Sequence, residues 1–165
     1  MVKRREALIA VGCAVALAGC TGSEPEETAD TVIDADVADI IVTLDDLESG
    51  WSGGSEGDGE AVFFSDDATV EIEITSHSDI STAEDAYNVL RDERTDSTSS
   101  DDVSYGNEGF LVNPFDDYVV IGFRAGNFVV EIESYTEEFA RADPEDVGRD
   151  FANIIVDKIA DRQND

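Results

Sequence analysis

Val70, Ile72 and Ile74 alternate with Glu71, Glu73 and Thr75, and Phe128, Val130 and Ile132 alternate with Val129, Glu131 and Glu133. Successive side chains of a strand point to opposite faces, so each run sets apolar groups on one side and mostly carboxylates on the other. Val119, Ile121 and Phe123 form a matching apolar set, and Ala125-Gly126-Asn127 between that set and Phe128 supplies the positive-φ residues of a hairpin turn. Ala61 to Ser65 reads as a fourth strand. One-sided strands of this kind belong to an antiparallel sheet with one face on the core and one in water.

Two helices are expected over the apolar face. In the first, Ser81 and Glu84 fit a capping box, and Ala83, Ala86, Tyr87 and Leu90 recur at helical spacing. In the second, Asp143 caps and Pro144 takes the first turn, where its missing N–H costs nothing. Glu145 and Asp146 suit the positive end of the helix dipole. Val147, Phe151, Ile154, Ile155 and Ile159 then form an apolar stripe. The fold class predicted is α+β: an antiparallel sheet with one solvent-exposed acidic face, packed by two helices, one of them C-terminal. It forms a single domain over residues 37–165.

Ahead of that domain, Lys3, Arg4 and Arg5 precede twelve small or apolar residues, Ala7 to Ala18. This is the layout of a secretory signal peptide. A membrane-spanning helix needs about 20 apolar residues, so an uncleaved anchor fits less well. Leu17-Ala18-Gly19-Cys20 resembles a lipobox, the motif of bacterial and archaeal lipoproteins in which a lipid alkylates the cysteine that becomes residue one. Arg4-Arg5 resembles a twin-arginine export signal, the alternative being an ordinary basic leader. The resemblance implies cleavage of residues 1–19, a lipidated Cys20 and residence on the outer face of the cytoplasmic membrane. A single acyl chain anchors only marginally, at about 10⁴ M⁻¹, so a two-chain modification is expected. Cys13 leaves with the leader, so no disulfide is expected. Residues 20–36, rich in Thr, Ser, Glu and Asp, read as an acidic, disordered tether.

The chain has 40 acidic and 10 basic residues, a net charge of −30, and the acids are spread along its whole length. Such a surface repels nucleic acid and anionic membranes, which leaves the lipid as the means of attachment. At molar salt the Debye length is about 3 Å and the self-repulsion is screened; at low salt the domain is expected to expand or unfold. Leader and composition together resemble lipoproteins of salt-loving archaea.

Tyr105-Gly106-Asn107-Glu108-Gly109-Phe110, then Phe123 to Val130, a closing helix, and Leu47, Gly50 and Trp51 resemble secreted sensor-type domains with a PsbP-like or Mog1-like fold. That resemblance implies an anchored or secreted module and transfers no reaction.

Catalytic signals are sparse. His77 is the single histidine, which argues against zinc, and Ser76, Ser78 and Asp79 beside it do not make a triad, because triads are assembled from distant segments. Glu71, Glu73, Glu131 and Glu133 share a face if their strands are neighbours, which suits either a cation site, a glycosidase-like pair or a solvated acidic surface. Asp116 and Asp117 fall in an expected loop without EF-hand spacing. Trp51, beside the glycine-rich stretch Gly53 to Gly59, is expected either as the lip of a ligand pocket or as an anchor for that loop. Arg124 is expected at a hairpin tip, binding an anionic ligand or pairing with a neighbouring carboxylate. No cofactor or metal is implied. The reading is a lipid-anchored binding or interaction module with a membrane or cell-surface protein or a small ligand as partner. The alternatives are an extracytoplasmic hydrolase using acidic residues and an accessory subunit of a membrane complex.

Overall fold

The computed structural model describes residues 30–164 other than 97, 138 and 139. Seven strands form one antiparallel sheet: β1 (Ser52–Gly57), β2 (Glu60–Phe64), β3 (Ala68–Ser76), β4 (Ser100–Asp102), β5 (Glu108–Phe115), β6 (Tyr118–Ala125) and β7 (Phe128–Thr136), in the order β1-β2-β3-β7-β6-β5-β4. A short helix α1 (Val37–Ile40) and a 3₁₀ turn (Leu44–Asp46) precede the sheet; α2 (Ile80–Thr95) follows β3, and α3 (Pro144–Gln163) closes the chain. The protein is α+β, as the alternation and the two helical patterns predict.

The register carries the alternation across the sheet. Leu111, Ile121, Ile132, Ile72 and Ala61 stand in one row, each opposite the next, and all are buried. Over this face lies α3, whose Phe151, Ala152, Ile155, Val156 and Ile159 are buried against it. Burying a side chain of the Phe or Ile class contributes about 1.5–3 kcal/mol, so this stripe is the main stabilising layer. The side chain of Asp143 accepts from the Glu145 N–H at 2.9 Å, and Pro144 opens the helix as expected.

The neighbouring row reads Phe110, Gly122, Glu131, Glu73 and Glu60, apolar at one end and acidic at the other. Here the structure corrects the placement of the helices: α2 does not join α3 but lies on the opposite face. Its Ala83 and Tyr87 pack there on Phe110, Val112, Val120 and Val129. The face expected to be bare is therefore covered over β5, β6 and part of β7. Gly122 makes room for the cover, since a Cβ there would stand 2.4 Å from the Phe110 ring. The capping residue of α2 is Asp79, which accepts from the Thr82 N–H at 2.9 Å, rather than Ser81. An ionised carboxylate is a stronger acceptor for that N–H than a hydroxyl.

Two loop expectations also change. The glycine-rich stretch is not an open loop: Ser52–Gly57 is an edge strand, and Asp58-Gly59 turns it into β2, both with positive φ. Asp-Gly is a favoured pair for such a turn. In the β6–β7 hairpin only Gly126 has positive φ, at 57°, while Asn127 is buried. The end of the expected tether also joins the packed domain: Ile33 lies in the main core and is 4% exposed.

Candidate functional site

Among the clefts that flank the sheet, one is strongly acidic and another combines apolar and acidic walls. The acidic cleft, of about 340 Å³, opens on the second face beside the end of α2 and is lined by Glu60, Glu71, Glu73, Arg94, Glu131 and Glu133 among others. The β3–β7 register sets Glu71 opposite Glu133 and Glu73 opposite Glu131, so the four glutamates singled out in the sequence do meet. They are not equivalent. Glu71 and Glu73 are exposed, whereas the side chains of Glu131 and Glu133 are only 12% and 18% exposed under Arg94. The acidic face is thus partly roofed.

Arg94, in the last turn of α2, places Nε 2.5 Å from Oε1 of Glu131 and Nη2 2.5 Å from Oε1 of Glu133. Tyr118 donates its hydroxyl to Oε2 of Glu133 at 2.9 Å, and Tyr135 donates to the same oxygen. The two tyrosine rings stack at 4.6 Å. Burial and the Glu133 charge push the Tyr118 hydroxyl up to about 12. With three donors on it, Glu133 is a structural acceptor under α2 rather than a reactive carboxylate. Glu131 differs: its Oε1 is close to Arg94 but out of line for a hydrogen bond. Burial, with the carboxylates of Glu133 and Glu73, outweighs the pull of Arg94 and raises its pKa. Of the four glutamates, Glu131 is thus the one whose surroundings disfavour its charge, and it stands opposite exposed Glu73.

The second cleft, of about 360 Å³, lies against the outer side of α3. Val147, Asp150, Phe151 and Ile154 line it from the helix, and Asp46, Leu47, Glu48 and Trp51 from the segment leading into β1. The helical residues recur at spacings of three and four, which places them on one side of α3. Val147 and Ile154, read as core from the stripe, are only half-buried, and they become the cleft wall. Trp51 is anchored to the core, its ring meeting that of buried Phe151 edge to face at 5.1 Å, and, half-buried, it also lines the cleft. Asp46 is held by Lys158, whose Nζ lies 2.7 Å away and also donates to the Ile41 carbonyl at 3.1 Å. Lys158 and the two hydrogen bonds from Thr43 overcome burial and hold the Asp46 carboxyl below its usual 3.8. The side chains of Glu48 and Asp150 make no hydrogen bond or ion pair with any described residue. Burial, with Asp146 and Glu48, raises the pKa of Asp150.

Arg124 is not an open anion site. It is 5% exposed; its Nε donates to Glu108 at 2.6 Å, and its Nη1 donates to Asp30 at 2.8 Å and to the Gly126 carbonyl at 3.1 Å. His77 lies at the end of β3, with Nε2 3.2 Å from the Thr75 hydroxyl, while Asp79 is engaged in capping α2, so no triad forms. Asp116 and Asp117 form the tight turn between β5 and β6. Cys20, Arg4 and Arg5 lie outside the described residues. Among the described residues no three His, Cys, Asp or Glu side chains are grouped to hold a metal, and no helix is long and apolar enough to cross a membrane.

Arg94, Tyr118, Tyr135, Glu48 and Asp150 were not expected at a site. Arg94 carried a faint signal, as one of few cations in the domain and one turn beyond Leu90 on the apolar side of α2. No family model, curated protein or solved structure matches this chain.

Proposed function

We propose that this protein is a lipid-anchored binding module on the outer face of the cell membrane of a salt-adapted organism. Residues 1–19 act as a removable export leader, with Arg4 and Arg5 in its basic region, and Cys20 carries the lipid. The anchoring half of this reading rests on the lipobox-like Leu17-Ala18-Gly19-Cys20. The binding half rests on one observation: the Trp51 cleft is concave, with apolar walls from Leu47, Trp51, Val147, Phe151 and Ile154 and two unpaired carboxylates at its side. Concave apolar walls with a few polar groups are the general form of small-ligand sites. Fractionation of cells at molar salt tests the anchor: the wild-type chain sediments with membranes and Cys20→Ser is released. Release of neither would overturn it.

One observation favours a second reading, an extracytoplasmic hydrolase. Glu131, partly buried and with its pKa raised by that burial, stands opposite exposed Glu73 in the acidic cleft, so two carboxyl groups in unlike surroundings face each other there. Glycan hydrolysis at high salt that Glu131→Gln abolishes would establish it; its absence across a glycan panel leaves the binding reading alone.

A further inference from the structure

We propose that the Trp51 cleft binds organic cations: an ammonium group on an apolar body, with Leu47, Trp51, Val147 and Ile154 receiving the body and Glu48 and Asp150 the charge. This rests on the reading of the cleft as a binding site and adds the class of ligand.

The argument begins with how the protein distributes its own cations. The cations nearest the two clefts are already engaged: Arg94 by Glu131 and Glu133, and Lys158 by Asp46, which itself lines the Trp51 cleft. Glu48, on the segment before β1, and Asp150, on α3, are exposed at the same cleft, and neither side chain pairs with a cation among the described residues. Two like charges held near apolar surface are relieved by a positive ligand and aggravated by a negative one. The aromatic side chain adds selectivity of the same sign, because the ring face of tryptophan attracts ammonium groups. A bare metal ion does not suit the site, since Asp46 is held by Lys158 and no three acidic side chains among the described residues are grouped to hold one. A neutral apolar ligand would leave the carboxylates uncompensated.

Trp51 is the single tryptophan of the chain and reports on the cleft directly. The full chain carrying Cys20→Ser, so that no lipid competes for the probe, is titrated at constant ionic strength with hexylammonium, 1-hexanol and hexanoate while Trp51 emission is followed. Hexylammonium is expected to saturate the response about tenfold more tightly than 1-hexanol, with hexanoate silent. Adding Glu48→Gln and Asp150→Asn is expected to bring hexylammonium down to the level of 1-hexanol. The charge-matched control Glu71→Gln with Glu73→Gln, exposed residues on the other face, is expected to keep the preference. Equal binding of the amine and the alcohol, a preference that survives the Glu48/Asp150 change, or one lost equally in the control overturns the cation assignment while leaving the cleft a binding site. Absence of a saturable response to all three probes overturns both.

Discussion

The backbone N–H of Ile33 donates to Oδ1 of Asn127 at 2.6 Å, joining parts of the chain 94 residues apart. The same side chain donates through Nδ2 to the His77 carbonyl at 3.0 Å, and it is buried at the tip of the β6–β7 hairpin. Asn127→Ala removes both partners at once and leaves a buried donor and acceptor unsatisfied. The expected loss is about 2–3 kcal/mol in urea unfolding, together with earlier proteolytic cleavage ahead of Ile33.

Tyr87 presents the opposite case. Its ring packs beside Phe110 at 6.0 Å, but its buried hydroxyl has no hydrogen-bond partner, and burial pushes its pKa up to about 12. Tyr87→Phe keeps the packing and removes an unsatisfied polar atom. Unfolding is expected to show unchanged stability or a gain of up to about 1 kcal/mol; a clear loss would mean that the hydroxyl has a partner.

Glu131 predicts a pH signature. Its pKa is higher folded than in an unfolded chain, where it is near 4.5, so the native state binds the proton more readily. Stability linked to that proton is present at low pH and declines as pH rises from about 4.5 through the raised value. Glu131→Gln cannot titrate there. The unfolding free energy of the wild type relative to this variant is therefore expected to fall with rising pH over that interval. Asp46, whose pKa is lowered, acts in the other direction, losing stability as pH falls, but it does so in both proteins and cancels.

Salt should act on the whole domain. With a net charge of −30 on the chain, repulsion is strong at about 0.1 M salt, where the Debye length is ~10 Å, and screened at about 1 M, where it is ~3 Å. The unfolding midpoint is expected to rise steeply with KCl between these limits. A flat response would remove the salt-adapted reading.

What could be read from the chain followed local rules. The β3, β6 and β7 alternation, the Asp143-Pro144 start of α3 and the Ala83/Tyr87 side of α2 each depend on residues a few positions apart, and the structure bears them out. The side of the sheet chosen by α2 was not legible, because it depends on Val120 and Val129 being apolar on a face that Glu131 and Glu133 mark as wet. A row that is apolar at Phe110 and acidic at Glu60 looks uniform only along a single strand. Arg124 was half legible: of its two readings the pairing with a neighbouring carboxylate holds, through Glu108, but its burial could not be read, because hairpin tips are ordinarily exposed and here Asp30 and Ile33 return from far upstream to cover this one. The Trp51 cleft was half legible, since Trp51 stood out while Glu48 and Asp150 were lost among the many acids.

The fastening of residues 30–33 to the hairpin tip sets a limit on reach. Ten peptide steps separate Cys20 from Asp30, and a fully extended chain spans at most ~3.6 Å per residue, so the lipidation proposed for Cys20 would leash the domain within about 36 Å of its anchor. Asp30 stands beside Arg124 and Gly126, so that corner of the sheet would then lie nearest the bilayer. A module held in that way would survey only a shallow layer above the lipid headgroups and would meet anything it captures at that height.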